Sequence, residues 1–443
     1  MSRFCVFGSW HLAQVMSACF AEKGHTVCVV HDDKDAIKSL AAGKPTVFEP
    51  DLEASIGRSL AARKLSFSTN YRGSLRGRRV AFLSADTPIT RDGTVNLRPI
   101  RAEVPKIAKA MSGPLTLVVA SQVPIGTCEK LQALGRKHTK HRFDVVCNPE
   151  FLRLGGAMVL QRAPDSIILG ADDVKTTKPI ATIYKPFDRP IVTMSLREAE
   201  IVKHAANAYV ANQVSFIGEI GQICDDYGAD AFAVSKALKL DRRVGRFAYV
   251  RPGLGFNGGT VRRDVNLLIK LAADVDREAP LMQAILDVNE RTNGTVVERL
   301  VKLLKRPRGK RVGLLGLTYK AHTSTLRHSL TLQIAEKMMA RGLRLRAYDP
   351  IIPPRREGVR SKVHEWEVPE EIAICASIEE AADDVDALVV MTDKEDFRDL
   401  NLKRLGSLMR TRILVDAVGF YDADTARRAG FRYITIGKGF QWL

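Results

Sequence analysis

The sequence predicts an α/β protein in which two doubly wound parallel-sheet domains flank a central helical domain. Three observations predict it. Short apolar runs alternate with helix-length segments over the first half, an unbroken helical pattern follows Ser195, and strand–turn–helix alternation restarts near residue 310. Such alternation argues for a parallel sheet covered on both faces, because each crossover helix buries one face of it.

The elements follow in order. The opening "MSRFCVFGSWHLAQ" reads as a buried strand entering a turn, and an amphipathic helix from Leu12 to Lys23 leads to a second strand, "TVCVV". This is a β-α-β opening. Further strands are expected at "RVAFLSA", "LTLVVAS" and "FDVVCNP". From Ser195, "SLREAEIVKHAANAYVANQVSFIGEIGQICDDYG" carries apolar residues at helical spacing with no breaker until Gly218, which predicts a long helix with a buried stripe. Residues 279–305 form a second helical stretch. After the basic run "KLLKRPRGKR", read as a solvated hinge, "KRVGLLGLTYK", "RLRAYDP", "DALVVMT" and "TRILVDAVGF" supply the last strands. The expected domains are 1–194, 195–300 and 301–443.

Composition narrows the classes. The 443 residues are 45% apolar and 27% charged, as in an ordinary globular protein. No apolar run approaches the roughly 18 residues that span a bilayer, and the start lacks a signal-peptide cleavage pattern. A cytoplasmic protein with no membrane partner is expected. Seven dispersed cysteines without metal-type spacing read as buried, reduced thiols, and no metal site is expected. The net charge of +18 favours anionic ligands, yet no nucleic-acid module is recognisable and the basic run has no interleaved aromatics. Nucleic acid is not expected as a partner.

One loop, "RPGLGFNGGTVRRD" (251–264), packs four glycines into seven residues, bringing backbone close to a ligand. With "ACFAEKGHTV", "GKPTVFEPDLE", "NPEFLR", "APDSIILG", "EAEIVKHAANAY" and "GLLGLTYK", it makes the chain resemble the UDP-glucose/GDP-mannose dehydrogenase family over nearly its whole length. The resemblance implies two Rossmann-like domains joined by a long helix. It also implies oxidation of a nucleotide-hexose C6 alcohol to a carboxylate with NAD (or NADP), through a cysteine thiohemiacetal, in a homodimer.

Residue by residue, the resemblance implies the following. Lys203 and Asn207 would support the C6 oxyanion, Glu150 would manage proton and water, and Asp264 closes the loop motif. The cysteine position is Thr260, a poor nucleophile without an activating base. Gln122 replaces an assisting threonine. Phe151, Leu152, Arg153, Arg243, Gly253, Phe256, Gly258 and Lys320 correspond to the sugar and diphosphate contacts. Arg327 corresponds to an arginine near the cofactor.

The cofactor turn departs from the pattern. A dinucleotide-binding turn reads G-x-G-x-x-G; here it is "GSWHLA", with Gly8 kept, Trp10 at the second glycine and Ala13 at the third. His31 stands where the ribose-binding acid belongs, with Asp32 beside it; Ala36 replaces a lysine, and "DTP" (Asp86, Thr87) replaces "GTP". These changes predict that NAD in its ordinary pose is not accommodated. Two readings follow: a divergent sugar oxidoreductase unable to run the thiol-dependent four-electron oxidation, or a catalytically silent homologue that binds nucleotide sugar as sensor or partner. The C-terminal "VDAVGF" and "LTYKAHT" lie nearer the GDP-mannose branch.

Overall fold

The computed structural model describes residues 1–88, 95–256, 259–318, 326, 329–358, 361–363 and 366–438. It divides into two compact units, 1–206 and 207–443.

The first unit carries eight strands: β1 (Arg3–Phe7), β2 (Thr26–Val30), β3 (Leu65–Ser68), β4 (Val80–Leu83), β5 (Leu115–Val119), β6 (Phe143–Cys147), β7 (Ile167–Gly170) and β8 (Ile191–Met194). Their order in the sheet is β3-β2-β1-β4-β5-β6-β7-β8, parallel except for the β6–β7 pair. Helices α1 (His11–Glu22), α2 (Lys34–Ala41), α3 (Leu52–Ala61), α4 (Tyr71–Leu75), α5 (Arg98–Ala110), α6 (Thr127–Arg136), α7 (Ala157–Arg162) and α8 (Lys178–Tyr184) form the crossovers and edges. Predicted strands and observed strands coincide at β1, β2, β4, β5 and β6.

An aromatic cluster locks α1 onto this sheet. The Phe20 ring lies 5.2 Å from Phe4, 5.1 Å from Phe82, 5.3 Å from Tyr184 and 5.5 Å from Phe187. Rings at these separations add edge and offset attraction to a large buried apolar area. The cluster therefore fixes where α1 begins, and with it the turn between Gly8 and His11. Gly8 itself is obligatory: its φ is +136°, and a Cβ there would lie 2.5 Å from the Ser84 carbonyl oxygen.

Helix α9 (Leu196–Tyr227), 32 residues long, leaves the first unit and opens the second. There follow α10 (Ala231–Leu240), α11 (Val261–Ala273) and α12 (Pro280–Leu304). The second sheet comprises β9 (Arg311–Leu315), β10 (Arg344–Tyr348), β13 (Ala373–Ile374), β14 (Ala387–Val390), β15 (Ile413–Asp416) and β16 (Arg432–Thr435). Its order is β13-β10-β9-β14-β15-β16, all parallel. A small hairpin, β11 (Ser361–Val363) with β12 (Trp366–Val368), is separate from it. Helices α13 (Leu330–Ala340), α14 (Ile378–Ala382), α15 (Leu402–Leu408) and α16 (Ala423–Arg428) complete the unit. The run 302–311 is no linker: α12 reaches Leu304, and β9 begins at Arg311.

All seven cysteines are free and buried. Among the described residues, no helix is long and apolar enough to cross a membrane.

Candidate functional site

In the first unit the turn after β1 opens into a cleft of about 330 Å³ lined by Gly8, Trp10, His31, Asp86, Pro88 and Glu103, among others. Trp10 is the N-cap residue of α1, extended at φ −92° and ψ −179°, with no side-chain cap. The residue is 36% exposed, and its ring stands edge-on to His11 at 5.9 Å. A helix N-terminus pointing backbone N–H groups at open space is what holds a pyrophosphate; here an indole shares that space. The acids beside it are engaged. Asp32 takes Lys106 Nζ at 2.7 Å, which also reaches Glu103 at 2.7 Å, and Glu103 accepts the Tyr71 hydroxyl at 2.7 Å. His31 Nδ1 accepts from the Asp33 amide at 3.1 Å, so that nitrogen is turned to its own backbone. Thr87 is buried, and Asp86 is half-buried on the cleft wall.

Two buried groups absent from the expected set hold this turn. His11 Nε2 lies 2.9 Å from Glu49, whose carboxylate also accepts the Gly155 and Ala157 amides at 2.9 and 2.7 Å. Burial pushes the Glu49 carboxyl up, but the His11 and backbone donors outweigh it and leave it below the usual carboxylate range. Gln14 donates to the Ser9 carbonyl at 2.7 Å and to Thr46 Oγ1 at 2.5 Å. Apart from Gln14–Ser9, these contacts join residues 32 to 108 positions apart and show as no local pattern; only "GKPTVFEPDLE" as a whole gives a signal.

The other expected site residues of the first unit lie past β5 and β6. Glu150 folds back to accept the Leu152 amide at 2.5 Å, and Tyr184 donates to Asn148 Oδ1 at 2.5 Å, anchoring the start of that loop. Phe151 and Leu152 are half-buried, while Arg153 is exposed. Lys203, on α9, is buried with its ammonium 4.8 Å from the Phe151 ring centroid, a cation–π contact. Gln122 meets His204 Nδ1 at 3.3 Å, and His204 Nε2 meets the Val123 carbonyl at 2.9 Å. A carbonyl only accepts, so the proton is assigned to Nε2 and Gln122 donates to Nδ1.

In the second unit, Asn207 and Asp264 come together. Asn207 Nδ2 donates to Asp264 Oδ2 at 2.5 Å, and Arg263 Nε lies 3.3 Å from Oδ1; Asp264 is wholly buried and Arg263 nearly so. Thr260 is the N-cap residue of α11, exposed, with no side-chain capping bond. The loop before it is pinned from α12: Asn289 accepts from the Phe256 amide at 2.7 Å and donates to its carbonyl at 2.9 Å. Gly255 has φ +94°, and a Cβ there would lie 2.5 Å from Asn289 Oδ1. Gly255, not Gly253, is the glycine the packing demands, since nothing lies within 4 Å of a Cβ at Gly253. Arg243 extends outward, its side chain 90% exposed and paired with Asp241 at 2.7 Å. Gly258, Lys320 and Arg327 lie outside the described residues.

The C-terminal ends of β9, β14 and β15 form a second turn cluster. Gly316 has φ +96° and no room for a Cβ beside Thr392. Asp349 accepts the Leu317 and Thr318 amides at 2.8 and 3.0 Å and is paired with buried Lys394 at 2.6 Å. Asp416 gathers the Val418, Gly419 and Tyr421 amides. Arg251, the first residue of the glycine loop, donates to the Val418 carbonyl at 3.0 Å. With Lys438, whose ammonium sits 5.2 Å from the Phe232 ring, it puts cations near this end. Such groups suit a phosphate-bearing ligand.

Sequence profiles match all three regions: "UDP-glucose/GDP-mannose dehydrogenase family, NAD binding domain" over residues 2–188, the central domain over 197–291 and the UDP binding domain over 313–423. The chain belongs to the UDP-glucose/GDP-mannose dehydrogenase family. It is 32% identical to UDP-glucose 6-dehydrogenase YwqF of Bacillus subtilis over 435 residues, covering 98% of this chain and 97% of that protein. It is 31% identical to the UDP-glucose 6-dehydrogenase of Pseudomonas aeruginosa, covering 98% and 97%. Among solved structures, a UDP-glucose dehydrogenase from Pyrobaculum islandicum superposes with a TM-score of 0.87 at 28% identity, covering 100% of this chain and 98% of that one. A GDP-mannose dehydrogenase from Pseudomonas aeruginosa gives 0.53 at 27% identity, covering 98% and 99%. As a family member, the chain is a nucleotide-sugar dehydrogenase homologue with an NAD-binding-type first domain.

Proposed function

We propose that this protein binds a nucleotide hexose and is a divergent sugar oxidoreductase that does not run the thiol-dependent four-electron oxidation at C6. The observation carrying this reading is Thr260 at the head of α11, exposed, in a loop that keeps its glycines and Asp264, has Arg262 and Arg263 where the family pattern has Pro and Lys, and holds no cysteine. An oxygen ester formed on a threonine cannot replace a thioester at similar rates, and the Thr260 hydroxyl makes no capping bond at the head of α11. Lys203 against Phe151 in the first unit is a retained donor that suits stabilising a C6 oxygen, and Asn207 keeps its motif position in the second unit; both support a two-electron alcohol–carbonyl step.

The cofactor reading rests on the cleft. With the indole of Trp10 at the N-terminus of α1, and with Glu103 and Asp86 on the cleft wall, the residues present do not suit a pyrophosphate in its ordinary pose. A nicotinamide dinucleotide, if used, would take a different pose. The same observation supports the second reading, a silent homologue that keeps nucleotide-sugar binding alone.

For the ligand, a uridine nucleotide is proposed. The C-terminal residues pointed toward the GDP-mannose branch, but the curated relatives carry UDP-glucose 6-dehydrogenase names, and the UDP-glucose dehydrogenase fold superposes better. A homodimer through α9 is also proposed, supported by Tyr209, Phe216 and Ile223, exposed at 61%, 48% and 50% and spaced every seven residues.

Calorimetry with UDP-glucose and GDP-mannose, beside assays for uronic acid and for reduced nicotinamide, tests this. Saturable sugar-nucleotide binding with no uronic acid is expected; steady uronate production defeats the proposal. Reduced nicotinamide without uronate selects the oxidoreductase reading, and neither product selects the silent one.

A further inference from the structure

The basic run 302–311 and the net charge of +18 are not absorbed by nucleotide-sugar binding. In the second unit the parallel register brings this run beside other cations at the starts of the strands, opposite the glycine turns. Arg311 pairs in register with Arg344, the Gly309 amide donates to the Gly342 carbonyl at 2.8 Å, and the Arg432 amide donates to the Arg412 carbonyl at 2.8 Å. The segments 305–311, 341–346, 408–412 and 427–432 contain no carboxylate at all.

The charge at this end falls into two lobes. Lys305, Arg306, Arg308, Arg341 and Arg344 are exposed at the starts of β9 and β10; Arg412, Arg428 and Arg432 are exposed at the starts of β15 and β16. Between them, at the start of β14, the cations are matched by acids: Lys310 with Asp386 at 2.7 Å, and Arg311 and Arg410 both with Asp384. The centre is therefore nearly neutral, and the flanks are not. None of the exposed large apolar side chains lies in these segments, so the end offers neither a base-stacking platform nor a membrane-inserting wedge.

What remains is recognition of phosphate charge by arginine forks, which take phosphate oxygens in pairs. With neighbouring strands about 4.8 Å apart, the lobes are two to four spacings, roughly 10 to 19 Å, from one another. That separation suits two phosphate rows facing across a duplex groove, the wider of which is about 12 Å. A continuous anionic sheet such as a bilayer would gain nothing from a neutral middle. We propose that this end of the second sheet is a sequence-independent docking surface for double-stranded nucleic acid, each arginine lobe following one phosphate row.

Anisotropy of a labelled random-sequence duplex, titrated with the full-length protein over a series of salt concentrations, tests this. Saturable binding with a log–log salt slope of about −5 or steeper is expected. The triple variant Arg308→Glu/Arg341→Glu/Arg344→Glu should make the slope shallower by about three. Arg412→Glu/Arg432→Glu should act in the same direction from the other lobe. A control of equal charge change, Lys109→Glu/Lys137→Glu/Lys140→Glu in the first unit, should leave binding within about twofold of the parent protein. Melting curves check folding, and the glutamine versions of the lobe variants stand in where a reversal does not fold. No saturable binding near physiological salt, an equal loss in the control, or tighter capture by phosphatidylglycerol vesicles than by duplex overturns the proposal.

Discussion

Asn207 donates its side-chain amide to Asp264 at 2.5 Å, joining the α9 segment of the second unit to the first turn of α11. The carboxylate it meets is wholly buried, and Arg263 stands on its other oxygen. A buried charge deprived of a partner is costly. Asn207→Ala should lower unfolding free energy by about 1–3 kcal/mol in urea. Asp264→Asn alone should cost at least as much, because buried Arg263 then loses this ion partner. An Asn207→Ala loss below about 0.5 kcal/mol would show that this bond carries no such energy.

Trp10→Gly should raise NAD⁺ affinity at least about tenfold, the equivalent of roughly 1.4 kcal/mol. Deleting the indole frees the N-terminal turn of α1 for phosphate oxygens. Titration calorimetry of parent and variant decides it: unchanged affinity would mean that the indole is not the obstacle.

Thr260→Cys alone should not produce uronic acid from UDP-glucose, since the cofactor turn remains altered. Combined with Trp10→Gly, it is expected to give the first detectable turnover. Product analysis by mass spectrometry reads both, and turnover by the single variant contradicts the expectation.

Acid should weaken the first unit through Glu22 and Glu49. Burial raises the Glu22 carboxyl, but Arg162 at 2.8 Å and Ser55 at 2.6 Å outweigh it and bring it to about 2. Its folded value lies below the unfolded one, so its contribution is fully present above the unfolded carboxylate range, near 4.3, and is lost as pH falls toward 2. Glu49 acts in the same direction. After allowance for solvent, Glu22→Gln should remove on the order of 1–2 kcal/mol at neutral pH and flatten the stability–pH curve in that window. Urea midpoints measured across the window provide the check.

Phe20→Ala should cost about 3–5 kcal/mol, because four aromatic rings lose their common neighbour. Phe20→Leu should cost clearly less. Equal losses in thermal unfolding would indicate that the ring geometry contributes little.

Much of this architecture was legible in the chain. Alternating apolar runs gave five strands of the first sheet, and "GLLGLTYK" announced the turn where Gly316 permits no side chain. The unbroken pattern after Ser195 gave α9. What stayed hidden depends on pairing across long separations. Glu49 bonds to His11 and to residues 155–157, Asn289 grips the loop at Phe256, and Lys394 answers Asp349. Each is a common residue with no local signature, and its role exists only once the backbone brings the segments together. Arg243, a motif position in the sequence, extends outward in the fold and pairs with Asp241.

The burial of all seven native thiols has a practical corollary. A cysteine introduced at the head of α11 would be the one exposed thiol beside seven buried ones, so a maleimide dye should attach there preferentially. Its emission would then register ligand arrival at the glycine loop directly, whether or not any chemistry follows.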